Sequence, residues 1–426
     1  MEYEFPISKF IRRVVEKTSL HGVFHLTNAK SVLIEKLFWA SIILSVIVSS
    51  IYLVALFWVR YLTNPTVISL DRNYHEWNAT FPSLTVCFHD RLNLTARDAL
   101  TNRVNPKDPA KFKRFLATLA EAHLFRLEQL IEFDEYSDLD LKSVLNQISN
   151  VVDAEVVLEN GLKAKLHRVI TDLGICYTFN SAILQFLSVE PLSDEDLRSG
   201  LVEISIIERD TAATLSNLTS NGDIYYHGPF EAPTVLKKLL VKTAVSSFLT
   251  MTFKPVTVTA DSTIENLYVQ QRNCRFPHES NLEFFVGFYT NSLCMLECRL
   301  KLCLDFCGCV PHFYNTAVRL PICPLKRLRC LVDNNVKIRQ GLASCRCLKD
   351  CNSIGFTLQN YVLFDWFKAP LIKWDMEFQK VRYSRRIIFG FADAMVSTGG
   401  ICGLFFGASF VTVVELCYLF LRNILK

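Results

Sequence analysis

The sequence lacks the features that identify several large classes of protein. Its formal net charge is only +4, so the composition gives no support for nucleic-acid binding. It has no phosphate-binding loop, no His-Glu-x-x-His pair and no nucleophile elbow, and we therefore expect no enzymatic activity. Internal repeats and low-complexity tracts are also missing. These absences leave non-enzymatic functions as the classes to consider.

What the sequence does contain is two long apolar stretches, in a chain that is 50% hydrophobic. Leu37 to Val59 carries no charged residue, and a helical membrane span needs about 20 such residues. Ile387 to Leu421 contains a second charge-free run, from Ala394 to Val414. We therefore expect a membrane protein with an N-terminal segment at 1–36, transmembrane helices at 37–59 and 387–421, a loop at 60–386 and a tail at 422–426.

The large loop carries the features of an extracellular domain. No small-residue cleavage site follows the first apolar stretch, so we expect it to remain as a signal anchor. All but two of the 15 cysteines lie in the loop, and such a density is typical of an oxidising compartment. Glycosylation sequons begin at Asn78, Asn93 and Asn217. Basic residues beside the second stretch favour a cytosolic loop, but the basic N-terminal segment, the sequons and the cysteines together predict cytoplasmic termini.

The last apolar stretch is not built like a simple anchor. It contains Gly399, Gly400, Gly403 and the small triplet Gly407-Ala408-Ser409, followed by Glu415. Glycine weakens a helix, and an ionisable residue at membrane depth is a functional-site hypothesis, so we interpret the stretch as pore-lining. Helix packing through a small-xxx-small ladder is the alternative, and the two are compatible. Residues four apart drift about 40° around a helix, so either Glu415 has another role or the helix breaks near the triplet.

The loop is large enough for a folded α+β core. Strand patterns cover Phe81 to Phe88, Gly174 to Asn180, Leu201 to Ile207, Ser246 to Thr259 and Ser353 to Phe364, and helical spacing covers Pro109 to Phe133. From Cys274 to Cys351 the chain is cysteine-dense. Cys-x-Cys pairs can bind zinc, but closely spaced cysteines outside the cell favour disulfides.

Five motifs, in order along nearly the whole chain, resemble those of one family. They are His21-Gly22, the FPSLTVC segment at 81–87, the GICYTFN segment at 174–180, the cysteine pattern that begins at Tyr289, and the glycine run in which Glu415 follows Ser409 by six residues. Together they closely resemble the degenerin/epithelial sodium channel family, and most of all its insect pickpocket branch. The family's pore helix is interrupted at the small triplet, which favours a break there.

The resemblance implies a trimeric channel whose extracellular domain has a palm sheet, a finger and a cysteine-rich thumb. It also implies six disulfides: Cys87–Cys176 in the palm, and Cys274–Cys351, Cys294–Cys347, Cys298–Cys345, Cys307–Cys330 and Cys309–Cys323 in the thumb. Cys303 is left over, as a free thiol, an intersubunit bridge or a sign of different pairing. The finger, about 90–170, has no second cysteine pair, and acidic runs such as 194–196 are not assigned to a proton-sensing pocket.

By the same resemblance, the protein is an amiloride-sensitive-type sodium channel subunit. The triplet would form the selectivity filter, and the pore and gate would use Asp393, Val396, Ser397, Gly399, Gly400, Gly403 and Glu415. Asp393 would concentrate cations at the outer mouth or mark the helix start. Glu415 would form a carboxylate ring or an intersubunit hydrogen bond. His21 and Gly22 would act in cytoplasmic gating.

The resemblance implies a homo- or heterotrimer in the plasma membrane, surrounded by lipid, with no nucleic-acid partner. Na⁺ is the permeant ion, and neither a cofactor nor a bound metal is expected. The stimulus, chemosensory, mechanical or other, stays open. The alternatives are a two-span receptor of the ATP-gated class, a non-conducting receptor or adhesion protein, and an obligate accessory subunit of a heteromeric channel.

Overall fold

The structure is a computed structural model that describes residues 25–26, 32–190, 192, 200–205, 212–218, 220–235, 240–243, 246–314, 316, 318–368 and 370–424. The chain divides into two compact units. The first comprises the chain up to Ile68, Asp261–Arg272 and Arg385 onward, and the second comprises Ser69–Ala260 and Asn273–Ser384. His21 and Gly22, the acidic run at 194–196 and the end of the strand predicted to reach Ile207 lie outside the described residues.

The elements follow the chain in this order. The α-helices are α1 (Leu33–Thr63), α2 (Leu94–Val104), α3 (Pro109–Ala120), α4 (Leu141–Ile148), α5 (Leu184–Leu187), α6 (Val269–Arg272), α7 (Asn291–Cys307), α8 (Leu325–Asp333), α9 (Asn335–Gly341), α10 (Phe391–Phe406) and α11 (Phe410–Ile424). The 3₁₀ helices cover Tyr74–Glu76, Leu124–Tyr136, Ser262–Asn266 and Leu342–Ser344. The strands are β1 (Thr66–Asp71), β2 (Asn78–Thr80), β3 (Ser83–Phe88), β4 (Glu155–Leu158), β5 (Lys163–Ala164), β6 (His167–Thr171), β7 (Gly174–Phe179), β8 (Glu203–Ser205), β9 (Ala212–Ser216), β10 (Gly222–His227), β11 (Leu240–Lys242), β12 (Ser247–Ala260), β13 (Cys274–Arg275), β14 (Lys349–Asp350), β15 (Ser353–Asp365), β16 (Leu371–Met376) and β17 (Arg382–Ile387).

Two sheets have five or more strands, and all of their strands lie in the second unit except β1 and β17, whose residues are divided between the two units. The larger has the order β1-β17-β12-β16-β9-β4-β5, and β15 also pairs with β12, antiparallel from Ser247↔Asp365 to Val258↔Ser353. The smaller has the order β11-β10-β3-β7-β6. Strands β3 and β7 are buried along their whole length, which explains their continuous apolar runs. Their few hydroxyls are paired, since Thr85 Oγ1 lies 2.8 Å from Thr178 Oγ1.

The aromatic side chains of the strand motifs pack between the sheets. The Trp374 ring centroid on β16 lies 6.0 Å from that of Phe81 and 5.8 Å from that of Phe179. All three side chains are almost completely buried. The predicted strands are present within the described residues. The FPSLTVC and GICYTFN segments meet in one core, where the ring centroids of Phe81 and Phe179 lie 6.3 Å apart.

The helix predicted from Pro109 to Phe133 is wrong in its second half. α3 ends at Ala120, and a 3₁₀ helix begins at Leu124. At the interruption His123 is extended, and the Leu124 N–H donates to the carbonyl of Asp172 at 2.9 Å. The helical spacing of apolar residues continues across this break, so the sequence pattern does not reveal it. The break depends on the tertiary hydrogen bond to Asp172, which changes the direction of the chain.

Six disulfides hold the second unit, and they join the same cysteine pairs that the resemblance implies: Cys87–Cys176, Cys274–Cys351, Cys294–Cys347, Cys298–Cys345, Cys307–Cys330 and Cys309–Cys323. Helix α7 presents Cys294 and Cys298 one turn apart and ends at Cys307, after which Gly308 caps it with a φ of +66° that favours glycine. Cys294 and Cys298 form separate disulfides, the first with Cys347 and the second with Cys345. Cys303 is a free, buried thiol whose pKa is raised to about 11 by burial.

A buried ion pair joins helix α7 to the turn between β6 and β7. Arg299 Nη1 donates to Asp172 Oδ2 at 2.8 Å, and both side chains are almost completely buried. Thr234 Oγ1 donates to the same oxygen at 2.7 Å. The pair fixes the cysteine-rich stretch to the smaller sheet, a connection that these six disulfides do not make, since one lies within that sheet and five lie within the stretch.

The first unit contains the apolar helices. Among the described residues α1 alone is long and apolar enough to cross a membrane by itself, and at Leu33–Thr63 it exceeds the predicted 37–59 at both ends. The second predicted helix, 387–421, differs more. Ile387 ends strand β17, and α10 begins only at Phe391 because Ile388 and Phe389 donate their N–H groups to the carbonyl of Pro65.

Candidate pore segment

Asp393 caps the start of α10. Its Oδ2 accepts a hydrogen bond from the backbone N–H of Gly390 at 2.8 Å, and the Ala394 N–H donates to the Gly390 carbonyl at 3.1 Å. A carboxylate in the first turn also interacts favourably with the helix dipole. Asp393 therefore marks the helix start, one of its two predicted roles, and its role at an outer mouth stays a prediction.

Helix α10 has one packed face and one open face. Ala394 and Ile401 are buried, and the helix packs against α1 within the first unit. Val396 is 75% exposed, and a Cβ added at Gly399 or Gly400 would meet no atom within 4 Å. Packing inside one subunit therefore does not require these glycines, and their face is available to water or to another subunit.

The helix is interrupted at the triplet, which is one of the two alternatives that the four-residue drift left open and the one that the resemblance favours. α10 ends at Phe406, and Gly407 has φ +63° and ψ +17°. The Gly407 N–H donates to the carbonyl of Gly403 at 2.9 Å, and the Ala408 N–H donates to that of Cys402 at 3.3 Å. Glycine adopts this left-handed backbone at the lowest cost of any residue, so the glycine explains where α10 stops.

Ser409 begins the next helix. Its Oγ accepts from the Thr412 N–H at 3.3 Å, and its own N–H donates to Thr412 Oγ1 at 3.1 Å. This reciprocal pair satisfies N–H groups that a helix start leaves without partners. Sequence reasoning missed Thr412, because a threonine stands here where the usual capping-box pattern has Glu or Gln.

The remaining predicted residues lie apart from the triplet. Ser397 is half-buried on α10, and Glu415 is exposed on α11. Because a break separates the two helices, the spacing between Gly399 and Glu415 no longer fixes which sides they share. In the described part of the chain, no group of His, Cys, Asp and Glu side chains is placed to hold a metal ion.

The three sequon asparagines lie in the second unit. Asn78 Nδ2 donates to Glu203 Oε2 at 3.2 Å. Asn93 caps α2, since its Oδ1 accepts from the Ala96 N–H at 3.0 Å. Asn217 is exposed with φ +61°, and its Nδ2 donates to the backbone carbonyl of Asp153 at 2.6 Å. The three sites therefore differ in local environment.

Comparison with known proteins identifies the family. The model of the family described as amiloride-sensitive sodium channel matches residues 14–419. The chain belongs to that family. Sodium channel protein Nach of Drosophila melanogaster is 22% identical over 97% of this chain and 88% of its own length. Pickpocket protein 11 of the same species is 22% identical over 95% of this chain and 74% of its own length, and pickpocket protein 28 is 19% identical over 97% and 78%.

Membership of the amiloride-sensitive sodium channel family confirms the resemblance drawn from the motifs, including the pickpocket-like relatives. Members of the family are membrane channels rather than enzymes, and they are oligomeric and often heteromeric. The disulfide-rich domain and the long apolar helix near the N-terminus agree with this assignment.

Proposed function

We propose that the protein is a subunit of a trimeric, sodium-permeable channel of the plasma membrane. In this proposal α1 crosses the membrane once, α10 and α11 cross it together, both termini are cytoplasmic and the disulfide-rich unit is extracellular. Family membership supports the channel, and the six disulfides support the oxidising side for the second unit.

The lengths of α10 and α11 support a shared crossing. At 1.5 Å per residue, the 16 residues of α10 rise about 24 Å, less than the roughly 30 Å of a bilayer core. The 15 residues of α11 are also too short alone. The two helices and their three-residue link together exceed that thickness, so the break would lie at membrane depth.

The interruption at Gly407-Ala408-Ser409 is the observation that carries the proposal. Non-helical backbone at membrane depth is tolerated where it lines a cavity or is buried in protein. The last carbonyls of α10 lack intrahelical partners, and the C-terminal end of a half-helix attracts cations. Three copies around an axis would present these carbonyl oxygens to a dehydrating Na⁺ ion, so we assign selectivity to this triplet.

The other predicted residues receive roles from their positions. Val396, Gly399, Gly400 and Gly403 lie on the open face of α10, which suits a face turned toward the pore axis. Ser397 borders that face in the gate region, and Glu415 lies on the cytoplasmic side of the break.

Whole-cell recording tests the proposal. A bulky residue at the gate, Val396→Phe, is expected to hold the pore open and give a sodium current. Val396→Ala is the matched control, because it changes the same 75% exposed position without adding bulk and should leave the current unchanged. Surface labelling confirms that both variants reach the plasma membrane.

An accessory subunit is the remaining candidate, because channels of this family are often heteromeric. If Val396→Phe reaches the surface yet carries no sodium current, the homomeric channel is refuted. Co-expression with a pickpocket subunit then decides between an accessory role and none. No change in that subunit's current would refute the channel function altogether.

A further inference from the structure

A cavity of about 370 Å³ opens beside the first sequon, within the second unit. We call it the Asn78 cavity, and its walls include Trp77, Asn78, Phe230, Asn352, Phe378 and Gln379. Its volume falls in the roughly 300–1,000 Å³ range of small-molecule sites. The sequon asparagine itself forms part of the wall, so a group attached to its Nδ2 begins at the cavity.

The lining is aromatic and polar without a free charge. The Arg382 guanidinium lies 4.3 Å from the Trp77 ring centroid, and its Nε donates to Asp71 Oδ2 at 3.2 Å, so its charge is neutralised. Phe230 and Phe378 are half-buried and contribute ring surface to the wall. Such a lining favours a neutral ligand that has both apolar faces and hydroxyl groups.

Amide groups supply the polar contacts. Asn352 Oδ1 accepts from the Ala260 N–H at 2.7 Å, and Gln379 Oε1 accepts from Thr257 Oγ1 at 2.7 Å. These bonds use the oxygens and orient both amides, whose NH₂ groups can donate to a ligand. A sugar ring with hydroxyl and acetamido acceptors matches such donors, and its C–H faces match the aromatic rings.

We propose that the first N-acetylglucosamine of an N-linked glycan on Asn78 occupies this cavity and forms part of the folded domain. The proposal rests on the extracellular placement of the second unit. The modified Asn78 nitrogen keeps one N–H, which continues to donate to Glu203 Oε2. Because the sugar is tethered to the cavity wall, its effective concentration there is high without any strong individual contact.

The other two sequons serve as internal comparisons, since neither Asn93 nor Asn217 lines this cavity. The test uses the full chain expressed in insect cells and solubilised in detergent. Asn78→Gln, Asn93→Gln and Asn217→Gln assign the glycan bands. Peptide-N-glycosidase F hydrolyses the amide bond between the asparagine side chain and the first N-acetylglucosamine. It is applied to native protein and to denatured, reduced protein.

We expect the glycan on Asn78 to resist the glycosidase in native protein, while the glycans on Asn93 and Asn217 are released. All three should be released after denaturation. Phe378→Ala should restore native release at Asn78, whereas Phe367→Ala, at an 86% exposed ring outside the cavity, should not. Thr80→Ala abolishes the sequon but keeps the Asn78 side chain, and it should lower the melting temperature as Asn78→Gln does.

The outcomes separate this proposal from the proposed topology. If none of the three sites carries a glycan, both the extracellular placement and the occupied cavity are refuted. Glycans on Asn93 and Asn217 with none on Asn78 refute the occupied cavity alone. Native release at Asn78 that is as fast as at the other two sites also refutes it.

Discussion

Replacing Gly407 with alanine is expected to destroy ion selectivity, because the backbone at this position is left-handed, with φ +63°. An L-residue in that conformation costs about 1–2 kcal/mol. In a trimer the change acts three times, so about 3–6 kcal/mol would act against the broken conformation. The chain can avoid this backbone strain by continuing α10 through the triplet. The carbonyl groups at the end of α10 would then form intrahelical hydrogen bonds and would no longer be available to an ion.

Two matched variants separate backbone strain from the added methyl group. Gly403→Ala adds the same methyl one turn earlier, where the Cβ would lie 3.8 Å from the Ala408 carbonyl oxygen and the helix gains about 0.5–1 kcal/mol. It should leave the break and the selectivity unchanged. Gly407→Asn should retain selectivity better than Gly407→Ala, because asparagine tolerates the left-handed region.

The assay is the Na⁺/K⁺ permeability ratio, measured from reversal potentials in the Val396→Phe background. Gly407→Ala should shift the ratio toward unity, with surface expression equal to that of the parent. An unchanged ratio with normal current in Gly407→Ala would refute the argument that this left-handed glycine sets the filter. A ratio altered equally by Gly403→Ala and Gly407→Ala would assign the effect to bulk instead of backbone conformation.

Three further predictions concern the second unit. His312 is completely buried and burial lowers its pKa to about 4, so the unfolded chain binds a proton that the folded chain excludes as pH falls below 6.5. Stability should fall by up to about 3 kcal/mol between pH 6.5 and 4, and His312→Leu should remove that part of the dependence in thermal melts; an identical pH profile would contradict it. Arg299→Met should lower the free energy of unfolding by about 3–5 kcal/mol, because it leaves the buried Asp172 carboxylate without its charged partner. Adding Asp172→Leu should recover most of the melting temperature, and a double variant that melts as low as Arg299→Met alone would contradict this. Cys303 should resist polar thiol reagents in native protein and react after denaturation, and a Cys303-dependent dimer on a non-reducing gel would refute its burial.

The sequence predicts the strands of the fold well and its tertiary contacts poorly. Segments that are buried on both faces, such as β3 and β7, give continuous apolar runs that are visible in the sequence. The interruption after α3 depends on the Leu124 N–H reaching the carbonyl of Asp172, about fifty positions away, and no local pattern encodes it. No local pattern encodes the Arg299–Asp172 pair either, because its two residues are 127 positions apart in the sequence.

The disulfide pairs illustrate a different limit. Spacing places Cys294 and Cys298 on one face of a helix, but it does not select their partners. The family resemblance supplied the six pairs, and the structure has the same six. Cys303 could not be assigned from the sequence, since its state depends on the packing of α7, where it is 3% exposed.

The candidate pore segment lies between these two cases. The drift of about 40° per four residues raised a helix break as one of two possibilities, and the family resemblance favoured it. The start of the helix was placed too early, because strand β17 continues to Ile387 and the Pro65 carbonyl holds the next two residues out of helical geometry. For Asp393 the sequence leaves two roles open, a charge at the outer mouth and a mark of the helix start. The hydrogen bond from Gly390 shows the structural role, which sequence position alone does not distinguish from the functional one.

The geometry of the triplet also narrows how it would select an ion. Ser409 Oγ is engaged with the Thr412 N–H, and its backbone N–H is engaged with Thr412 Oγ1. In this conformation the serine hydroxyl caps α11 with one of the two lone pairs on its oxygen, and the second lone pair can still replace water around a cation. Coordination would then be shared between the carbonyl oxygens at the end of α10 and the Ser409 hydroxyl oxygen, and Ser409 would also fix where α11 begins. Gly407 ends one helix and Ser409 starts the next, so substitution of either residue should alter the geometry of the carbonyl oxygens at the end of α10.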